Sequence, residues 1–431
     1  MIDLYFENIA DYRPDSTNFI NCNDINSSGL RRFGASPFIK LHGEQFVNKY
    51  ISEIPDHPLV NYIISIGVGH SPSDWCGATS TRPDKLLGRK NVFAHLDTKH
   101  FKNIQQKKAF VLLDQSHEGY STEWLWEWFH QSCIDYGIPP SQIIYITGDL
   151  NVDQLYTRWA DENNIKDRIA VFAYTHFEYV VSGWMSTPRF SPKKWIRYKR
   201  NNPSEIYDYN CLQKRTRAHR TRLFLKLYEF DLLKHGINSM NKFSYNDTCL
   251  PDFNEADEHI CKNAVQLLPM YPPNTSKQDK KVFKSGDCGF YLTTIDTYSP
   301  YYSWLTVISE ASYSSDLETC FLSEKTFKSI KICHPFIICG SKGSLAHLRS
   351  LGYKTFDPYI DESYDQLDDE DRLDAIVKEL IKFKEMSFSE KVKLFTAMSE
   401  ICIYNQQVLV NKQNDFNVYH TITQYIKKVT N

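Results

Sequence analysis

Residues 321–340 read FLSEKTFKSIKICHPFIICG. Ser323 stands where a helix N-cap belongs and Glu324 and Lys325 fall in the first turn. PFIICG beyond the helix is an uninterrupted apolar run, the pattern of a buried strand. A helix running straight into such a strand is half of a parallel α/β unit. Free backbone N–H groups and the positive dipole end stabilise an anion at a helix mouth, whereas Lys325 sits badly there unless something negative lies close by. A diphosphate would satisfy the site. Equally, Glu324 can offset the dipole and pair with Lys328 at i,i+4, leaving Lys325 solvated.

The alternation extends in both directions. Upstream lie an expected strand SWLTVIS (303–309), a helix over 219–235 and a strand EIYDYNC (205–211); downstream come a GSKG turn (340–343) and a short helix SLAHLRSLG. In the N-terminal half NYIISIGVGH, AFVLLDQSHEG, QIIYITGD and RIAVFAYTHF read as strands, with helices expected in STEWLWEWFHQSCIDYG and NVDQLYTRWADENN. Strands alternating with helices are the signature of parallel sheets with crossover connections. Residues 1–58 are polar and loop-rich. Residues 182–202, rich in Pro, Gly and basic groups, break the rhythm and read as the domain connection. The expected fold is α/β: two Rossmann-like domains of GT-B type facing a central cleft, with C-terminal helices. The boundaries are 1–190 for an acceptor-side domain, 191–385 for a nucleotide-sugar-binding domain, and 386–431 for helices packing back across both.

Composition narrows the classes. At 431 residues the chain exceeds one ordinary core, and a formal charge of −2 argues against coating nucleic acid or membrane by bulk charge. Eleven cysteines without a CxxC pair suggest neither a disulfide scaffold nor a zinc ribbon. The start lacks a basic, then apolar, leader and no run of some 18 apolar residues occurs, so a cytoplasmic protein without a membrane span is expected.

Charge is nevertheless concentrated locally. Between residues 193 and 222 lie ten cations: Lys193, Lys194, Arg197, Lys199, Arg200, Lys214, Arg215, Arg217, Arg220 and Arg222. Arg217 and Arg220 open a helix, where cations oppose the dipole, and a guanidinium fork there could grip a diphosphate. Lys193, Lys194, Arg197, Lys199 and Arg200, interleaved with Trp195 and Tyr198, are a candidate patch for nucleic acid or for the acceptor; a solvated basic face is the plainer alternative.

NCLQKRTRAHRTRLFLKLYEFDLLKHG, then SWLTVISEAS, then the 321–340 stretch together resemble the nucleotide-binding half of fucosyltransferase-type GT-B glycosyltransferases. They are also similar to a group of phage-encoded sugar transferases, there through GSLAHLRSLGYKTFDPYIDESYD. The resemblance covers about 208–365. It implies a diphosphate contact at Arg220, with Arg217 the alternate, a second phosphate contact at Lys325, and a ribose-binding carboxylate at Glu324. Glu310 and Gly340 complete this set. The family's Glu-Asn-Ser is Glu310-Ala311-Ser312 here, so the amide that helps place the donor is missing and GDP-fucose is not implied. The phage likeness leaves a modified DNA base or a glycan as the acceptor and implies the host cytoplasm as location.

The implied reaction moves a sugar from a nucleotide-sugar donor to an acceptor hydroxyl, without a metal or further cofactor and with inversion. It needs a base, for which the stretch after AFVLLD offers Glu118 first, with His117 and Asp114; His70 and Asp74 form a second set. The rival motifs are weak. GVGHSP lacks the third glycine of a dinucleotide fingerprint, GSKGS suits a tight turn, and Asp369-Glu370-Asp371 opens a helix, where acids are expected for the dipole. From a different class, a non-catalytic module that binds nucleic acid or protein through the basic run is the alternative.

Overall fold

The computed structural model describes residues 3–6, 47–50, 62–67, 93, 98–119, 121–183, 191–213, 217–239, 259–260, 299–313, 318–412 and 417–430. His70, Asp74, Lys214 and Arg215 lie outside them, as does all but 259–260 of the polar, Pro-containing stretch 246–284, which reads in the sequence as an excursion from the second unit. By internal contacts the chain forms two units. The first is Met1–His176 with Leu317–Thr319 and Asp415–Asn431; the second is Phe177–Asp316 with Cys320–Asn414. The division falls at His176/Phe177, ahead of the expected boundary at 190.

The first unit carries β1 (Asp3–Phe6), β2 (Val47–Tyr50), β3 (Tyr62–Gly67), α1 (Thr98–Gln105), β4 (Ala109–Gln115), α2 (Glu123–Tyr136), β5 (Ile143–Thr147), α3 (Val152–Glu162) and β6 (Ala170–Ala173). Its sheet has the order β2-β1-β3-β4-β5-β6, and every pairing is parallel. Two strands lie within the stretch that reads as loop, because DLYF and VNKY are too short to show a period. The core is aromatic: Trp126 and Phe129 of α2 and Tyr156 of α3 meet Tyr145 of β5 or one another at centroid distances of 5.1–6.2 Å. Gly137, at φ 60, ends α2 in the left-handed conformation, its N–H reaching Cys133 and Ile134 carbonyls.

The second unit continues with α4 (His176–Gly183), α5 (Pro192–Asn201), β7 (Tyr207–Leu212), α6 (Ala218–Glu229), β8 (Gly236–Ser239), α7 (Ser299–Tyr302), β9 (Ser303–Ser309), α8 (Glu324–Lys331), β10 (Phe336–Cys339), α9 (Ser344–Ser350), α10 (Asp369–Glu385) and α11 (Phe388–Asn411). The final helix, α12 (Asn417–Thr430), counts with the first unit, where Tyr425 lies edge-on to Phe110 and Phe172 and donates to the Ser141 carbonyl at 2.8 Å. The break expected at 182–202 contains α5, whose Pro192 sits at the first turn and whose Trp195 is buried. The helix expected over 219–235 stops at Glu229, because Asp231 takes φ 55.

The second sheet runs β10-β9-β7-β8, all parallel. Chain order therefore reverses between β7 and β9. In open parallel sheets such a switch point leaves a crevice outside the carboxyl ends of the strands. Asn210 of β7 fixes the pair, donating to Ser303 Oγ at 2.8 Å and Thr306 Oγ1 at 3.0 Å of β9. Both units are thus mixed α/β structures built on parallel sheets. Among the described residues no helix is long and apolar enough to cross a membrane.

Candidate ligand site at the second switch point

The carboxyl ends of β7, β9 and β10 gather most of the charge singled out in the sequence. β9 ends at Ser309 and is followed by Glu310, whose N–H donates to the Cys339 carbonyl at the end of β10, 2.9 Å away. Glu310 is fully buried, and its carboxylate faces the mouth of α8. There it accepts from Ser323 N–H at 3.1 Å, from Thr326 Oγ1 at 2.6 Å and from Ser323 Oγ. The negative charge that the helix mouth calls for is therefore supplied by the chain itself. Ser323 is the N-cap, as its position in the sequence predicts, accepting from Lys325 N–H.

Lys325 arches back over this mouth. Its Nζ reaches Ser323 Oγ and a Glu324 carboxylate oxygen, each at 3.1 Å, while its side chain keeps 32% exposure. Glu324 is mostly covered. Burial alone would raise its carboxyl, but the ammonium groups of Lys325 and Lys328 outweigh that and hold it at about 2. Glu324 therefore stays a carboxylate at any working pH. Lys328, four residues on, adds its charge to that of Lys325 beside the same carboxylate.

From the β7 side, α6 brings cations onto the end of β9. Arg217 is the N-cap residue and donates to the Ala311 carbonyl at 2.6 Å. Arg220 is 4% exposed and donates through Nη2 to the Ser309 and Glu310 carbonyls at 3.1 and 2.9 Å. Burial and the neighbouring Arg217 pull its guanidinium down to about 10, against the pull of Glu310 and Glu324. His219 Nε2 lies 3.0 Å from the Glu310 carbonyl, and burial with Arg220 holds the ring neutral. The His219 ring stacks on Tyr313 at 4.8 Å, and the Arg372 guanidinium lies 4.4 Å from the same Tyr313 ring.

Gly340 closes the floor. A Cβ there would lie 3.0 Å from Ser344 Oγ, 3.1 Å from Ile338 Cγ2 and 3.3 Å from Glu310 Cβ, so the close approach of β10 to Glu310 depends on its bare backbone. The GSKG turn beyond it ends in Gly343 at φ 81, and the start of α9 is closed by Asp365, whose carboxylate accepts from Leu345 and Ala346 N–H at 2.9 and 3.1 Å.

Arg217, Arg220, Glu310, Glu324, Lys325 and Gly340 thus meet around one strand end. Two assignments change. Arg220 is committed to backbone carbonyls beneath the surface, so the groups able to meet a ligand directly are Arg217 and Lys325. Lys199 leaves the basic patch: it is fully buried, its Nζ bonded to the Pro300 and Tyr301 carbonyls and 5.2–6.0 Å from the Trp195, Trp304 and Phe395 rings. Lys193, Lys194, Arg197 and Arg200 are exposed. The acids of Asp369-Glu370-Asp371 find cations within the chain: Asp369 with Arg372 at 2.6 Å, and Glu370 with Arg222 and Lys226 at 3.1 and 3.5 Å.

In the first unit Asp114 stands near the end of β4, paired with Gly67 of β3, and His117 and Glu118 follow the strand. Asp114 is fully buried, and its carboxylate accepts the Ser116 N–H at 2.9 Å, which makes it a turn-former. His117 and Glu118 are half-buried. The Glu118 carbonyl accepts from Gly148 N–H and Thr147 Oγ1 at 2.8 and 3.0 Å, so its backbone is firmly held.

His219, Tyr313, Arg372 and Asp365 were missed from sequence. For Arg372 a signal existed, since Asp369 and Arg372 stand at i,i+3 on a helix. His219 and Tyr313 gave none, being brought together across the sheet. No family model, curated protein or solved structure matches the chain.

Proposed function

We propose that the chain is a glycosyltransferase of GT-B type that takes its sugar from a nucleotide-diphosphate donor held in the second unit. The observation that carries this reading is the convergence of Arg217, Arg220, Glu310, Glu324 and Lys325 at the β7/β9 switch point, where parallel α/β sheets bind nucleotides. The resemblance of residues 208–365 to fucosyltransferase-type enzymes supports it independently.

Lys325 and Arg217 contact the diphosphate in this proposal, and Glu324, permanently ionised, accepts from the ribose hydroxyls. Arg220 and His219 are positioning residues that hold the end of β9 against α6. In the reaction the acceptor oxygen attacks the anomeric carbon and the bond to the diphosphate breaks. The electron pair goes to the leaving phosphate oxygen, whose growing charge fixed cations stabilise. The acceptor proton passes to a carboxylate, assigned to Glu118 ahead of His117. Asp114 is set aside because its carboxylate is buried in its own turn. The acceptor is a hydroxyl on a glycan or on a modified base, and no metal is assigned a role.

A thermal-shift screen of nucleoside diphosphates and nucleotide-sugars tests the donor site. A ligand at 100 times its Kd adds about 2.7 kcal/mol of stability. One base type should raise the melting temperature of the wild type, and Lys325→Ala should abolish the rise without lowering the ligand-free melting temperature by more than a degree or two. No shift with any nucleotide overturns the donor site. Transfer from the stabilising donor, lost in Glu118→Gln with donor binding intact, would support the base.

A further inference from the structure

We propose that the exposed face of α5 is a docking surface for the phosphate backbone of a nucleic acid, separate from the switch-point site. Lys193, Lys194, Arg197 and Arg200 are all exposed. At about 100° per residue they fall within roughly 120° of one another, on one face of the helix. Lys199, at the opposite azimuth, and Trp195 are buried, and Trp195 Nε1 donates to the Ile332 carbonyl at 3.2 Å. The helix is thereby pinned from behind, and its cations are presented on a fixed support.

The face is unbalanced. The first turn of α5 holds two lysines and no acid, and the N-cap Ser191 makes no side-chain cap bond, so cations sit against the positive end of the helix dipole. Among the described residues none of the four cations has an ion-pair or hydrogen-bond partner. Elsewhere in the same unit several surface cations are paired, as Arg222 and Lys226 are with Glu370, Lys342 with Asp368 and Arg349 with Glu362, whereas exposed ones without a pair, such as Lys378 and Lys393, lie far from α5 in sequence and apart from one another. A surface that gathers four unpaired cations on one helix face is complementary to an external polyanion.

The composition of the face selects the polyanion. Protein interfaces need an apolar core and membrane-lying helices need an apolar face to insert. The apolar side of α5 faces inward, and the exposed large apolar side chains lie on other elements. Phosphate contacts need only cations. The row runs about 10 Å along the helix axis, and a duplex presents one charge per roughly 1.7 Å of its own axis, so each cation can meet a phosphate. The proposal rests on this face alone and not on the donor-site reading.

Fluorescence anisotropy with a labelled mixed-sequence 20-mer, as duplex and as single strand, tests it over 50–300 mM salt. For a duplex, four neutralised phosphates give a log–log salt slope of about −3.6. The variant Lys193→Ala/Lys194→Ala/Arg197→Ala/Arg200→Ala should bind at least tenfold more weakly at 50 mM salt and lose most of that slope. Lys193→Arg/Lys194→Arg, which keeps the charges, should bind as wild type does. A control removing four exposed lysines elsewhere (Lys107, Lys166, Lys378 and Lys393, each to Ala) has the same net charge as the first variant and should stay within twofold of wild type. Equal losses in the control would reduce the effect to bulk charge and overturn the proposal. So would absence of DNA binding at 50 mM salt, or binding only to phosphatidylserine vesicles. Lys325→Ala should leave DNA binding unchanged, which keeps this result separate from that of the nucleotide screen.

Discussion

The loops after β4 in the first unit and after β9 in the second each follow a buried parallel strand, β9 at the point where chain order reverses in its sheet and β4 one strand beyond that point in its own. Their chemistry differs. At the end of β4 the Asp114 carboxylate accepts from the Ser116 backbone, and Gln115 accepts from Tyr145 of β5 at 2.6 Å. After β9 two arginines, a histidine, two glutamates and a lysine are pressed together, and several reach across the sheet for partners. A buried parallel strand can end in a plain turn or in a charged cluster. In the second unit the concentration of charge coincides with the switch point.

This difference predicts unequal costs of removal. Glu310→Ala strips the acceptor from two buried hydroxyls and one backbone N–H, and leaves Arg220 beside one carboxylate fewer; the expected loss is about 3–5 kcal/mol. Asp114→Ala removes a carboxylate bonded to its own turn, and about 1–2 kcal/mol is expected. Urea unfolding followed by tryptophan fluorescence measures both. Equal losses would mean that the charged cluster is no more tightly built than an ordinary turn.

Lys199 sharpens the contrast through pH. The described core of the first unit holds His130 and Tyr156 in mutual contact at 2.9 Å with burial holding the ring neutral, whereas the second unit buries an ammonium group. Burial pushes the Lys199 pKa well below its ordinary 10.5. Between the folded and unfolded values the unfolded chain holds the proton and the folded chain does not, so the Lys199 contribution to stability rises with pH there, by up to about 1.4 kcal/mol per unit, against the buried thiols, whose raised values work the other way above about 9. The rise should stop near 10.5. His334 beside it, held at about 3 by burial and by Lys199, does not titrate in that window. Lys199→Met should flatten the rise. Parallel pH profiles for wild type and variant would assign it to another group.

A smaller effect is expected at the second filled helix mouth. Asp365→Ala frees the N–H groups of Leu345 and Ala346 at the start of α9, for about 1–2 kcal/mol. The loss should exceed that of Lys342→Ala, which removes only an exposed pair with Asp368.

Much of this arrangement was legible in the sequence. The apolar runs 109–113, 143–146 and 336–339 announce strands buried on both faces, and Ser323 announces the start of α8. Apart from His219, the members of the charged cluster were also legible, because charges at helix starts and strand ends are conspicuous. Their partners were not. That Glu310 fills the mouth of α8 depends on β9 and β10 ending in register, with Ser309 opposite Cys339, and no local pattern encodes that register. Lys199 looked like its neighbours because, in a ten-residue helix with five cations, nothing local tells the buried one from the exposed four until its packing partners are known.

The smallest effect is expected at a motif that already reads in the sequence as a helix start. Asp369-Glu370-Asp371 spells a motif associated with metal-dependent sugar transfer, yet Asp369 is bonded to Arg372 and Glu370 to Arg222 and Lys226. Asp371 is exposed in the first turn of α10, where a carboxylate interacts favourably with the helix dipole. Asp371→Asn should therefore cost no more than about 0.5 kcal/mol and leave the nucleotide-induced shift in melting temperature unchanged, with or without magnesium or manganese. A magnesium- or manganese-dependent shift that vanishes in this variant would move the anion-binding chemistry from the cations after β9 to the acids of α10, and the contrast between the two strand ends would no longer locate the site.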